Sequence, residues 1–133
     1  MKFSKIHTVR TNNFNDAAVQ EKILGLWQQS EAAILQAKEQ GKTVVALYHD
    51  YESDYKGDYS VSIGTETDAS YAFNTSDHRW KEYPVDASDE FGVLHTWQQI
   101  WADEEAQTIH RVYAFDYEAY MPTGSSAIFI GIQ

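Results

Sequence analysis

The chain repeats itself. Residues 47–64 and 114–131 each carry Asp-Tyr-Glu followed by Ile-Gly at nearly the same spacing, as Asp50-Tyr51-Glu52 with Ile63-Gly64 and as Asp116-Tyr117-Glu118 with Ile130-Gly131. Each segment is preceded by Trp-Gln-Gln, at Trp27 and again at Trp97. Three markers in one order indicate duplication, and self-similarity constrains architecture before any local propensity does. A chain of 133 residues holds about one domain. The copies are therefore halves of a single domain spanning 1–133, at about 1–67 and 78–133.

Local patterning fills in each half. Phe3 to Phe14 alternates imperfectly and ends in Asn12-Asn13, as a strand running into a loop does. Asn15 is placed to cap a helix over about 16–40, with an apolar stripe at Ile23, Trp27, Ser30, Ile34 and Ala37 and a stop at Gly41. Val44–Tyr51 and Tyr59–Gly64 read as strands around a turn at residues 53–58, which makes the first half βαββ. The polar stretch 65–78 is a connection, with Tyr71 and Phe73 as its anchors. Trp80–Val85 and Phe91–His95 read as strands. Thr96 and Gln99 form a capping-box pattern that starts a second helix at Trp97, running to about Gln107. Arg111–Tyr120 and Ala127–Ile132 close the chain as a hairpin. The expected fold is thus α+β, two tandem pseudo-twofold βαββ units making a largely antiparallel, curved sheet with two helices. One helix cannot cover a sheet face unaided, so the units pack side by side and their seam becomes a central cleft, a common place for small ligands.

Composition narrows the function classes. A formal charge of −10, with ten scattered basic residues, repels a phosphate backbone, so nucleic-acid binding by this chain alone is not expected. With no cysteine there is no disulfide, thiol nucleophile or thiolate metal site. No apolar run is long enough to span a membrane and the first residues lack a signal-peptide pattern, so a cytoplasmic protein without membrane association is expected. The five histidines include no HExxH and no helical i, i+4 pair, and Gly-rich phosphate loops and Gly-x-Ser-x-Gly are absent, so neither metal nor cofactor is expected.

What the sequence supplies generously is aromatic rings near carboxylates. Trp97 and Trp101 lie four apart and share a helix face, where they serve either as core anchors or as a surface for organic cations. Trp27 lies on the long helix's apolar stripe. Tyr48 and Tyr51 flank Asp50 beside Glu52, and Tyr59 belongs with them, since a phenol packs its ring while wetting its hydroxyl. Glu118 has two readings from the residues alone, a solvated strand-end glutamate or a buried counter-ion. Strict alternation puts it opposite Phe115 and Tyr117, so in the second reading its ring neighbours come from other elements.

The set Tyr48, Tyr51-Glu52, Asp54, Gly57-Asp58-Tyr59 in the first half, with Trp97-Gln-Gln-Ile-Trp101, Asp116-Tyr117-Glu118-Ala-Tyr120 and Ile128 to Ile132 in the second, resembles the GyrI-like effector-binding family. Modules of this kind serve as ligand domains of AraC/XylS-type transcription regulators, and nearly the whole chain takes part in the resemblance. It most resembles a stand-alone version carried on integron cassettes and described as a cationic drug-binding module. The resemblance implies a central aromatic pocket and a buried glutamate that pairs with lipophilic cations. That glutamate maps to Glu118, and Glu52 is its internal counterpart. The chain starts at the first strand of the module, so a transcriptional role is expected to need a partner, whose identity the sequence leaves unknown. Two rival readings remain: a hydrolase of electrophilic toxins using Glu52 and Glu118 as a pair, and an interaction module that inhibits a protein partner.

Overall fold

Seven strands and three helices succeed one another along residues 1–133, all of which the computed structural model describes. Their order is β1 (Lys2–Thr11), α1 (Val19–Gln29), α2 (Glu31–Glu39), β2 (Val44–His49), β3 (Tyr59–Glu66), β4 (Phe73–Asn74), β5 (Arg79–Pro84), α3 (Gly92–Glu105), β6 (Phe115–Tyr120) and β7 (Ser126–Ile132). The strands form one antiparallel sheet in the order β4-β1-β3-β2-β6-β7-β5. Outward from the central β2–β6 pair, each side shows the same succession, β3 then β1 on one and β7 then β5 on the other. This is the α+β, two-unit arrangement that the repeat implies.

Alternation along the strands gives the sheet two different faces. Val44, Ala46, Val61 and Ile63 point toward α1 and α2, where they enclose Leu26 and Ala37. Ile128, Ile130 and Tyr83 point toward α3 and enclose Ile100. Each helix covers its own half, and each fully buried Val, Leu or Ile among these contributes roughly 1.5–3 kcal/mol. Between the two helix-covered cores Tyr48 of β2, with Glu118 and Tyr120 of β6, faces a cleft and forms its floor. The opposite face holds Phe3, Val45, Leu47, Phe115 and Tyr117. There the sheet curls into a half-barrel: Phe73 from one edge strand and Trp80 from the other lie 5.0 and 5.2 Å from the ring of Phe115.

The repeated Ile-Gly marker has a packing reason. A Cβ on Gly64 would stand 2.1 Å from the Ser4 carbonyl oxygen of the neighbouring strand, and one on Gly131 would stand 3.3 Å from that of Phe115. The repeated Asp-Tyr-Glu marker does not survive in the same way. Val61 pairs with Tyr48 and Ile128 pairs with Glu118. Superposing Ile63-Gly64 on Ile130-Gly131 therefore makes Tyr48 the counterpart of Glu118, while Glu52 falls beyond the end of β2.

Four local expectations are corrected. The long helix begins at Val19 with Ala18 at its N-cap, because Asn12 and Asp16, not Asn15, accept the loop N–H groups of Phe14, Asn15 and Ala18. It breaks at buried Ser30, whose hydroxyl bonds back to the Leu26 carbonyl at 2.8 Å and competes with the helical ladder, so two helices stand where one was expected. The third helix starts at Gly92, and the expected strand Phe91–His95 is its N-cap and first turn. Thr96 lies inside that helix and donates to the Gly92 carbonyl at 2.6 Å instead of capping. Finally, β6 starts only at Phe115, because Tyr113 adopts a left-handed backbone, φ 57°, that a strand does not tolerate.

Candidate functional site

The cleft over β2 and β6 has a volume of about 880 Å³. Its floor follows from strand register. Ala46 stands opposite Glu118, and Tyr48 and Tyr120 lie two residues along on the same face. From α3 the indole of Trp97 reaches over to Glu118. Glu118 is 5% exposed and accepts three hydrogen bonds: from the Tyr48 hydroxyl at 2.7 Å, the Trp97 Nε1 at 2.7 Å and the Tyr120 hydroxyl at 2.6 Å. None of these donors carries a charge, and no ion pair of the protein includes Glu118. Burial, reinforced by the Glu118 charge, pushes the Tyr48 and Tyr120 hydroxyls well above the ordinary phenol range, so both stay protonated and keep donating.

The rings form a box around this carboxylate. Tyr48 meets Trp97 edge-on with centroids 5.0 Å apart and Tyr59 at 5.6 Å, while Trp27 meets Tyr120 edge-on at 5.4 Å. Trp101 stands 6.4 Å from Trp97 and stacks on Tyr55 at 5.5 Å, with Phe14 against both. These contacts join the two halves at one end of the cleft.

Behind Trp97 lies a second polar centre. The fully buried Asp116 accepts from Arg111 Nη2 at 2.7 Å, from the Tyr51 hydroxyl, and from the Gly131 N–H at 2.8 Å. Arg111 also meets Glu104 at 3.3 Å, and its guanidinium packs over Tyr113 at 4.3 Å. Burial opposes the charge of Arg111, but Asp116 together with the Tyr51 and Tyr113 phenols holds its pKa above the ordinary guanidinium value. The protein's own buried cation is thus already compensated by two carboxylates. Glu118 is not.

The structure gathers most of the residues that the sequence singled out. Glu118, Trp27, Tyr48, Tyr51, Tyr59, Trp97 and Trp101 all line the cleft. Tyr51 serves Asp116, not Glu118. Glu52 does not join them: it is exposed in the β2–β3 turn, where its N–H bonds the Asp58 carbonyl. The two glutamates on which the rival hydrolase reading rests are therefore not brought together in the cleft. Sequence reasoning missed Arg111, Tyr55 and Phe14, which lie in loops or irregular chain where no periodicity marks a facing side. It also passed over residues 85–94 as a lip of the cleft, because that segment read as strand and turn.

His49, Ser62 and Asp50 stand at a spacing familiar from catalytic sites. His49 bonds Ser62 through Nε2 at 2.7 Å and Asp50 through Nδ1 at 3.0 Å. It lies on the opposite face of the sheet from the cleft, and Ser62 has no exposure and is also bonded by Thr8 at 2.7 Å. A substrate does not reach that hydroxyl.

No protein-family model matches the chain. A Bacillus subtilis (strain 168) protein named "Putative transcriptional regulator protein YobU" is 33% identical over 103 residues, covering 71% of this chain and 63% of that relative. The chain thus spans less than two thirds of the relative's length. Among solved structures, an integron cassette protein from the mobile metagenome of Vibrio cholerae matches with a TM-score of 0.73 at 21% identity, over 98% of this chain and 94% of that one. This chain has the cassette protein's fold. No helix is long and apolar enough to cross a membrane.

Proposed function

We propose that this protein is a non-enzymatic, small-molecule-binding module of the GyrI-like effector type found in AraC/XylS-type regulators, and that it captures lipophilic cations with Glu118 as counter-ion. One observation carries the reading: a carboxylate 5% exposed, held by three neutral donors and paired with no cation, at the floor of a ring-lined cleft. Hydrogen bonds spread that charge without neutralising it, and an unpaired charge in low dielectric costs several kcal/mol. A ligand cation relieves this cost, and the surrounding rings add cation–π attraction of roughly 0.5–2 kcal/mol each. Charged groups elsewhere in the lining favour the same sign. Asp86, Asp89 and Glu90 sit on one lip, and the only basic lining residue, Arg111, is engaged by Asp116 and Glu104.

The hydrolase reading needs two carboxylates within reach of one reacting atom. Glu52 lies outside the cleft, so the pair on which that reading rested is missing. The names carried by the similar proteins agree with a regulator or cassette context, in which the cleft is the effector site and contact with DNA is made by other residues.

The test uses two ions of nearly equal size and shape, tetraphenylphosphonium and tetraphenylborate, in titration calorimetry. Binding of the cation at least tenfold tighter than the anion is expected. Equal affinities would remove the counter-ion role.

A further inference from the structure

The mouth of the cleft carries exposed apolar side chains on both lips. Phe14 and Leu24 stand on the lip formed by the first half, Phe91 and Leu94 on the lip formed by the second, and all four line the cleft. Each is about half exposed or more, at 55%, 59%, 57% and 49% respectively. Four large aliphatic and aromatic side chains left in water around one cleft are exposed apolar surface of the kind that marks a binding site. Neither lip carries a basic residue among those lining the cleft, whereas Asp86, Asp89 and Glu90 border the second lip. From floor to mouth the cleft therefore runs from a buried anion in a ring box, through apolar walls, to a rim of exposed apolar side chains bordered on the second lip by carboxylates.

From this gradient we infer that the cleft is built for single-chain cationic amphiphiles: the ammonium head sits against Glu118 in the ring box and the alkyl tail runs up the walls and lies along the Phe14, Leu24, Phe91 and Leu94 rim. The inference rests on the cation reading above and adds the part of the ligand that this reading leaves undefined. A compact rigid cation fills the box and leaves the rim in water. A long tail covers both. Since the rim is continuous with the floor, each methylene added to the tail beyond the box meets further apolar surface, and affinity keeps rising with chain length.

The experiment is a titration of the full chain with alkyltrimethylammonium bromides from hexyl to dodecyl, each below its micelle-forming concentration. The comparison protein is Leu24→Gln/Leu94→Gln, two exposed helix positions where glutamine leaves the fold undisturbed. In the parent, affinity is expected to rise about twofold to fourfold per methylene through dodecyl, the upper figure being the equivalent of about 0.8 kcal/mol per buried methylene. In the double variant the hexyl compound binds as in the parent and the dodecyl compound binds at least tenfold more weakly. A plateau by octyl in the parent, or equal dodecyl affinity in both proteins, overturns the tail placement while leaving the cation reading intact. Equal binding of dodecyl sulfate and dodecyltrimethylammonium, or binding of neither, overturns the cation reading and this inference with it. A parent that sediments as a dimer and a double variant that sediments as a monomer would show the rim covered by a second copy of the chain instead of a tail.

Discussion

Replacing Glu118 by glutamine tests the centre of the site, because it keeps the shape and removes the charge. In the parent, Tyr48 and Trp97 both donate to one carboxylate oxygen and Tyr120 donates to the other. Glutamine satisfies this set only with its carbonyl oxygen toward Tyr48 and Trp97, since the indole N–H cannot accept. Its amide nitrogen then faces the Tyr120 hydroxyl, which turns to accept. Three charge-assisted bonds become neutral ones, a loss of roughly 1 kcal/mol each. The several kcal/mol spent in burying an unpaired carboxylate are recovered at the same time. The two changes oppose each other, so Glu118→Gln is expected to fold with a stability within about 2 kcal/mol of the parent. Cation binding has no such compensation. Loss of a close, partly buried charge partner weakens it by on the order of 2 kcal/mol, about thirtyfold in Kd. Thermal melting establishes the fold, and calorimetry with tetraphenylphosphonium measures the affinity. A folded variant whose Kd lies within threefold of the parent's would refute the assignment of Glu118 and leave the rings alone to account for any binding.

Other outcomes follow from the same geometry. Glu52→Gln is expected to change neither cation affinity nor stability measurably, since Glu52 is exposed and lines no part of the cleft; a thirtyfold loss equal to that of Glu118→Gln would restore the paired-glutamate reading. Gly64→Ala should destabilise the protein by several kcal/mol in urea melts, because its Cβ would stand 2.1 Å from a backbone oxygen that the sheet holds in place; a loss under 1 kcal/mol means that β1 and β3 are further apart than described. Stability should also fall with acid through His49, whose pKa burial lowers below 6.5 against the opposing pull of Asp50. The unfolded chain then binds the proton more readily, so this contribution is fully present above about pH 6.5 and is lost as pH falls through the folded value. The loss should be smaller in His49→Gln, and an identical pH profile in that variant would remove His49 as the cause.

Much of this molecule is legible in its sequence because the physics involved is local or periodic. The duplication gave two equivalent halves. Alternation set Glu118 opposite Phe115 and Tyr117 and led to the expectation that its rings come from other elements; Tyr48 of β2 and Trp97 of α3 do, whereas Tyr120 shares the strand and the face of Glu118. Helical spacing put Trp97 and Trp101 on one side. The resemblance placed the pocket glutamate at Glu118, but only the tertiary structure shows why the second of two similar motifs buries its carboxylate and the first does not. Asp50-Tyr51-Glu52 and Asp116-Tyr117-Glu118 are alike in sequence, but the ladder of β2 with β3 stops at His49, whereas that of β6 with β7 runs through Glu118. One glutamate is consequently left in a turn in water and the other is carried to the seam, where Tyr48, Tyr120 and Trp97 converge from two strands and a helix. Strand register and the meeting of distant elements depend on the packing of the whole sheet. No window of residues short enough to show a period contains that information.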